Sequence, residues 1–228
     1  WQTTIHVLLS QRLEVLDYGV TCRQDNPNQQ GKGMIKHVMT HAPNRGAEER
    51  LPGYHEAIPN LIVNTDDFPE GCGGKMRSKA WCNYKRSWQL AGGHATVQYD
   101  DDIILCNNFH ERLMSEIDKR PNDVIQFFSM RKDDLTIGSR YINGRRFMQQ
   151  QCYYLPPGMA EQIREYLPEF YDQAEGGQSP TDIMMGQLFS KMKLKYWNVV
   201  PNLVDHIVGV SAINSRRPKH RVSKTFQL

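Results

Sequence analysis

The 228-residue chain has no apolar run approaching the roughly 20 residues that a membrane-spanning helix needs. A helical membrane anchor is therefore not expected. Charged and polar residues also interrupt the first segment too early for a secretory signal peptide. The chain does not open on Met, which reads as a trimmed or partial start. Cysteine is sparse: Cys22, Cys72, Cys82, Cys106 and Cys152 are odd in number and lack CxxC or Cys/His spacing. That pattern argues against a complete disulfide framework and a structural zinc site, and it predicts reduced core thiols. Neither sign of charge predominates, with 28 Lys and Arg against 25 Asp and Glu. A net charge of +3 permits a phosphate-rich partner without requiring one. No internal repeat is visible. What remains is a soluble, intracellular chain long enough to bury a full core as one α/β domain.

The strongest positive signal runs from His94 to Leu105, where a β-rich segment delivers Asp100, Asp101 and Asp102 and then returns to apolar residues. Adjacent carboxylates repel, and burying an unpaired charge is costly, so such a cluster is either fully solvated or holds a cation. Oxygen-only ligands favour Mg²⁺ or Mn²⁺ over zinc. Upstream, Thr3 to Leu9 reads as a buried first strand, and Arg12 follows it where a parallel sheet places a ligand loop. Residues 24–34 and 42–53 are rich in Gly, Pro and Asn and read as long loops. A strand over Asn60 to Asn64 ends in Asp66 and Asp67.

From Gly74 to Leu90, Trp81, Tyr84, Lys85 and Trp88 recur at helical spacing, with Lys75, Arg77 and Lys79 at the amino-terminal turn. Basic side chains at a helix start suit a diphosphate. The spacing of Phe109, Leu113 and Ile117 predicts a helix, Asp123 to Ser129 and Gln150 to Leu155 predict strands, and Gly158 to Tyr171 predicts another helix. Between the two strands, Arg131, Lys132, Arg140, Arg145 and Arg146 form a basic, Gly-containing loop suited to a nucleic-acid backbone or an anionic substrate, or to plain solvation. The run Gly176 to Asp182 opens a helix over Ile183 to Met192, with Ser179, Pro180 and Asp182 in the positions of an N-terminal capping pattern. A strand over Lys195 to Val200 leads into Pro201 to Ser211, and a basic stretch from Arg216 to Arg221 follows. Strands alternating with helices predict a mixed, mostly parallel sheet flanked by helices.

The order of a strand, Arg12, a basic aromatic helix, QYDDDI, a late GGQSPTD helix start and PNLVDHIVGVS resembles glycosyltransferases of the GT-A fold. It is similar in particular to the small single-domain group that includes bacteriophage enzymes and the TET/JBP-associated glycosyltransferases, which modify hydroxymethylated DNA bases. The resemblance is strongest over residues 60–110 and 176–211. It implies one GT-A-like domain over residues 1–228, with residues 1–110 holding the nucleotide sugar and residues 111–228 the acceptor. It also implies a cytoplasmic protein, in the host cytoplasm if the chain is viral.

The family's acidic motif binds a divalent cation on a nucleotide sugar, and the triple aspartate permits two registers, Asp100 with Asp102 or Asp101 with Asp102. Asp102 is common to both. The implied metal set is Asp100, Asp102 and His206, binding Mn²⁺ or Mg²⁺, with Arg12, Asp66, Lys75 and Asp101 toward a UDP-linked donor. Asp182 is the implied general base if the sugar inverts. Arg140, Arg145 and Arg146 are the candidate contacts to DNA. A polysaccharide or small-molecule acceptor, a metal-dependent nuclease or nucleotidyltransferase, and a non-catalytic nucleic-acid-binding module are the alternatives.

Overall fold

The computed structural model describes residues 34–43, 48–65, 76–148, 150–173, 181–207 and 221–228. These belong to one unit, Gly33–Leu228. In chain order its first half contains β1 (Lys36–His41), α1 (Leu51–Ala57), β2 (Leu61–Thr65), α2 (Met76–Ala91), β3 (Thr96–Asp100), β4 (Ile103–Leu105) and α3 (Phe109–Lys119). The second half contains β5 (Ile125–Gln126), α4 (Asp134–Ile137), β6 (Arg140–Asn143), a 3₁₀ turn (Gly144–Arg146), β7 (Cys152–Leu155), α5 (Met159–Gln173), α6 (Thr181–Lys191), β8 (Lys195–Asn198) and β9 (Val204–His206).

Seven strands form one sheet in the order β2-β1-β3-β7-β5-β8-β6. The pairs β2/β1, β1/β3 and β5/β8 are parallel, and β3/β7, β7/β5 and β8/β6 are antiparallel. Followed along the sheet, only β7 and β6 oppose the others, so five of seven strands share one direction. The mixed, mostly parallel sheet predicted from the sequence is present. A separate antiparallel ribbon joins β4 to β9.

Side-chain alternation builds two cores. On β7, Cys152 and Tyr154 face one layer, with Tyr54 of α1, Ile58 just after that helix, and Phe109, Leu113 and Ile117 of α3. Tyr153 and Leu155 face the other, with Trp88 of α2, Ile163 of α5 and Met184, Met185 and Phe189 of α6. Helix α3 follows from its residues: apolar positions at every fourth place are buried, Glu111 lies in the first turn and Lys119 in the last, which suits the helix dipole. It starts after Asn108, whose left-handed backbone (φ 54°) ends the preceding turn.

Several expectations change. Strand β1 lies in a segment without a predicted element, because His37, Thr40 and His41 are polar yet buried and so break the apolar run. The predicted strand over 123–129 is reduced to Ile125–Gln126. The basic stretch 131–146 is not one loop: it holds α4, edge strand β6 and the 3₁₀ turn. The predicted strand Thr3 to Leu9 lies outside the described residues. Cys106 and Cys152 are buried free thiols, as expected. Cys82 is disulfide-bonded, which corrects the expectation for that residue. An odd cysteine count excludes a complete framework but leaves room for a single bridge. Among the described residues, no helix is long and apolar enough to cross a membrane.

Candidate active site

Loops that follow parallel strands gather at the sheet's carboxyl-terminal edge, where such folds bind ligands. Parallel pairing sets Thr40 of β1 opposite Asp100, the last residue of β3. Asp100 Oδ1 accepts hydrogen bonds from the Tyr84 hydroxyl at 2.7 Å and the Thr40 hydroxyl at 3.0 Å. Its carboxyl is raised from 3.8 to about 7, first by burial and next by the charge of Asp102, against the lowering effect of the two hydroxyl donors. Burial, then the charge of Asp100, keeps the Tyr84 phenol well above its ordinary range, so it remains a donor.

The three aspartates do not act alike. The two-residue period of extended chain separates Asp101 from its neighbours. Asp101 is buried, and its Oδ2 accepts from His41 Nδ1 at 3.0 Å and from the Ala42 N–H at 2.8 Å. Its carbonyl accepts from Arg50 Nη2 and the Tyr54 hydroxyl, both at 3.3 Å. Asp101 therefore ties the strand end to β1, the loop after it and α1. A buried carboxylate with an imidazole and a backbone amide as partners is a structural pin.

Asp102 faces elsewhere. Its Oδ2 lies 3.2 Å from His206 Nε2, and its carbonyl accepts the Ile207 N–H at 2.9 Å. The β4/β9 register, which places Ile103 opposite His206, creates this contact between residues distant in sequence. His206 is buried, and its Nδ1 is buried without a hydrogen-bond partner. Arg221 Nη2 is 2.7 Å from His206 Nε2. Among the described residues, no three His, Cys, Asp or Glu side chains are gathered into a ready-made metal cage.

Asp182 lies in the first turn of α6, where its own carboxylate accepts the Ile183 N–H at 2.9 Å. Two short links relate that turn to the aspartate edge: the Thr181 hydroxyl donates to Gln150 Oε1, and the Asp100 N–H donates to the neighbouring Gln151 carbonyl at 3.0 Å. Arg12, Asp66 and Lys75 lie outside the described residues.

The basic stretch divides in two. Arg140 pairs with Asp133 at 2.8 Å and with buried Asp134 at 2.9 Å. Arg131 donates to Ser129, the Arg146 carbonyl and the Tyr196 hydroxyl, so it braces the segment from inside. Arg145 and Arg146 are exposed. Their 3₁₀ turn is seated tightly on α6, for a Cβ on Gly144 would meet Phe189 Cβ at 2.5 Å and the Leu194 carbonyl at 2.7 Å. Sequence reasoning missed His41, Thr40 and Arg221 as neighbours of the aspartates and saw Tyr84 only as part of an aromatic stripe. An open groove of about 720 Å³ along α3, lined by His110, Glu111, Met114, Ser115, Asp118 and Lys119, contains none of these groups. The aspartate edge is the better candidate because charge, burial and hydrogen bonding converge there.

No protein-family model matches the chain, and no curated protein does. Among solved structures it is similar to a protein named as a glucose-1-phosphate thymidylyltransferase from Bacillus anthracis, in complex with a sucrose: 9% identity, TM-score 0.45, covering 76% of this chain and 89% of that one. It is also similar to A197 from STIV, with 8% identity and a TM-score of 0.43 over 76% of this chain and 86% of that one.

Proposed function

We propose that this chain is a metal-dependent glycosyltransferase of the GT-A kind, moving a sugar from a UDP-linked donor to the hydroxyl of a hydroxymethylated pyrimidine in DNA. The observation that carries this reading is the pairing of Asp102 with His206 beside Asp100, while Asp101 is occupied with His41 and Ala42. Of the two registers the motif allows, Asp100 with Asp102 is the one this pattern favours.

The donor set suits a hard divalent cation. Two neighbouring carboxylates, one of which has its proton affinity raised by burial and by the charge of the other, gain more beside an imidazole from a shared cation than from ionising alone. Asp100 and Asp102 would hold Mn²⁺ or Mg²⁺ with His206 at its side, and phosphate oxygens and water would complete the shell. When bound, the cation supplies Lewis-acid stabilisation of the charge that grows on the leaving diphosphate. Arg12, Asp66 and Lys75 are assigned to the donor. Asp182, partly exposed, receives the acceptor's proton if configuration inverts and positions the hydroxyl if it is retained.

On the acceptor side the proposal rests on Arg145 and Arg146, since Arg140 is held by two carboxylates. The nuclease reading needs a second carboxylate cluster, for which the sequence offers Asp66 with Asp67, outside the described residues, and Asp133 with Asp134, and the ion pairs of Arg140 weaken the latter. A binding module without catalysis gives Asp100 no reason to sit half-buried beside Asp102.

The test is mass spectrometry of nucleosides from hydroxymethylpyrimidine DNA incubated with the protein, Mn²⁺ and a panel of nucleotide sugars. A glycosylated base supports the full proposal. Consumption of a nucleotide sugar with unmodified DNA moves the acceptor to a saccharide or small molecule, and no consumption of any donor contradicts the transferase reading.

A further inference from the structure

The segment that carries Arg221 is fastened to the strand that carries His206. Ser223 donates its N–H to Asp205 Oδ1 at 2.7 Å and its hydroxyl to Asn202 Oδ1 at 2.6 Å. The Asn202 N–H donates to Thr225 Oγ1 at 3.2 Å, and the N–H groups of Thr225 and Phe226 donate back to Ser223 Oγ at 3.0 and 3.1 Å. Phe226 packs against the core. These bonds set the backbone two residues from Arg221, whose guanidinium reaches the aspartate edge rather than bulk solvent.

One imidazole nitrogen is 2.7 Å from Arg221 Nη2 and 3.2 Å from Asp102 Oδ2. A guanidinium is always a donor, so the shorter contact requires the lone pair on His206 Nε2. The Arg221 guanidinium and the Asp102 carboxylate thus meet at the same imidazole nitrogen, which then offers the carboxylate no N–H. A cation already stands beside the carboxylate and the nitrogen lone pair, the two groups that a divalent ion would use. Site charge points the same way. Asp100 and Asp102 are neutralised by one divalent ion, and an incoming diphosphate brings further negative charge that only an additional cation can meet.

We infer that Arg221 is a diphosphate-binding residue: it serves as resident counter-cation at His206 until a divalent ion takes that lone pair, and it then pairs with the diphosphate of the bound nucleotide. This rests on the proposed nucleotide-sugar site and names a residue that completes it. The planar fork of arginine matches phosphate oxygens in a way lysine does not.

The test is calorimetric titration of the full chain and its Arg221→Gln and Arg221→Lys variants with Mn²⁺ alone, then with UDP and UMP in saturating Mn²⁺. Arg221→Gln should bind Mn²⁺ alone as well as or better than wild type, lose about tenfold or more in UDP affinity and change little toward UMP. Arg221→Lys should fall between. In the wild-type protein, the Arg221 Nε–H resonance should shift on adding UDP with Mg²⁺ and stay put with UMP, a readout that survives if the variants fold poorly. A lowered melting temperature with an unchanged UDP-to-UMP ratio, or a weaker response to Mn²⁺ alone, overturns the inference and leaves a structural tie. If wild type binds UDP with Mn²⁺ and only the Arg221 comparison fails, the transferase reading stands without it. If wild type shows no joint binding, both fall.

Discussion

Replacing Asp100 by Asn separates a burdened carboxylate from a structural one. Asp100 is raised from 3.8 to about 7, a shift of roughly three units, and each unit is worth about 1.4 kcal/mol. The folded state therefore holds a proton that the unfolded chain releases between those two values. Stability from this group falls as pH rises through that window, and the full cost of about 4 kcal/mol is present above pH ~7. Because Asp100 is partly exposed, solvent screening reduces this to about 2 kcal/mol. Asparagine keeps an oxygen to accept from Tyr84 and Thr40, so the substitution removes the repulsion with Asp102 and preserves the two hydrogen bonds. In urea unfolding with chelator, Asp100→Asn should match wild type near pH 4 and exceed it by about 2 kcal/mol at pH 8. With Mn²⁺ and UDP added at pH 8, wild type should regain the difference and the variant should not. A gap that stays flat across pH, or a variant less stable at pH 8, would refute the reasoning.

Three further outcomes follow from the same geometry. Asp101→Asn should lower stability by about 1 to 3 kcal/mol, since it disturbs a buried carboxylate with two partners, and should weaken Mn²⁺ binding less than Asp102→Asn does; urea titration and calorimetry compare the two. His206→Ala should raise the Mn²⁺ concentration needed for UDP binding more than it lowers the melting temperature, whereas a purely packed histidine would show the opposite balance. Replacing Arg145 and Arg146 by Gln should reduce the salt slope of DNA binding by about 2 and leave nucleotide affinity unchanged; an unaltered slope in a filter-binding series removes this pair from the acceptor surface.

The alternating architecture was legible because the helices announce themselves. Phe109, Leu113 and Ile117 fall at every fourth position, and their burial on α3 follows from that spacing alone. Strand β1 was not legible, since His37, Thr40 and His41 interrupt its apolar pattern and are buried only because partners arrive from elsewhere. His37 bonds the hydroxyl of Tyr99, and His41 bonds Asp101, each about sixty residues away. The aspartate triplet itself was plain in the sequence, but its register was not. The division of labour among Asp100, Asp101 and Asp102 is set by Tyr84, His41 and His206, three residues on three different elements. Arg221 shows the same limit: in sequence it is one cation of a basic stretch, and only the bonds of Ser223 with Asn202 and Asp205 bring it to His206. In the basic stretch 131–146, composition could not reveal that Arg131 and Arg140 serve their own segment while Arg145 and Arg146 face solvent.

The central claim is that the Asp102 edge takes a divalent cation and a nucleotide diphosphate together. The most direct measurement is the thermal stability of wild type and Asp102→Asn in Mn²⁺, in UDP and in both. Ligands that bind only the folded state raise its stability by mass action, so wild type should be stabilised by the pair well beyond the sum of the separate effects. Asp102→Asn should fold and show no such joint gain, because an anionic ligand to the cation is gone while carboxylate repulsion is relieved. A wild-type protein indifferent to the pair, or a variant that responds to it as wild type does, would contradict the account.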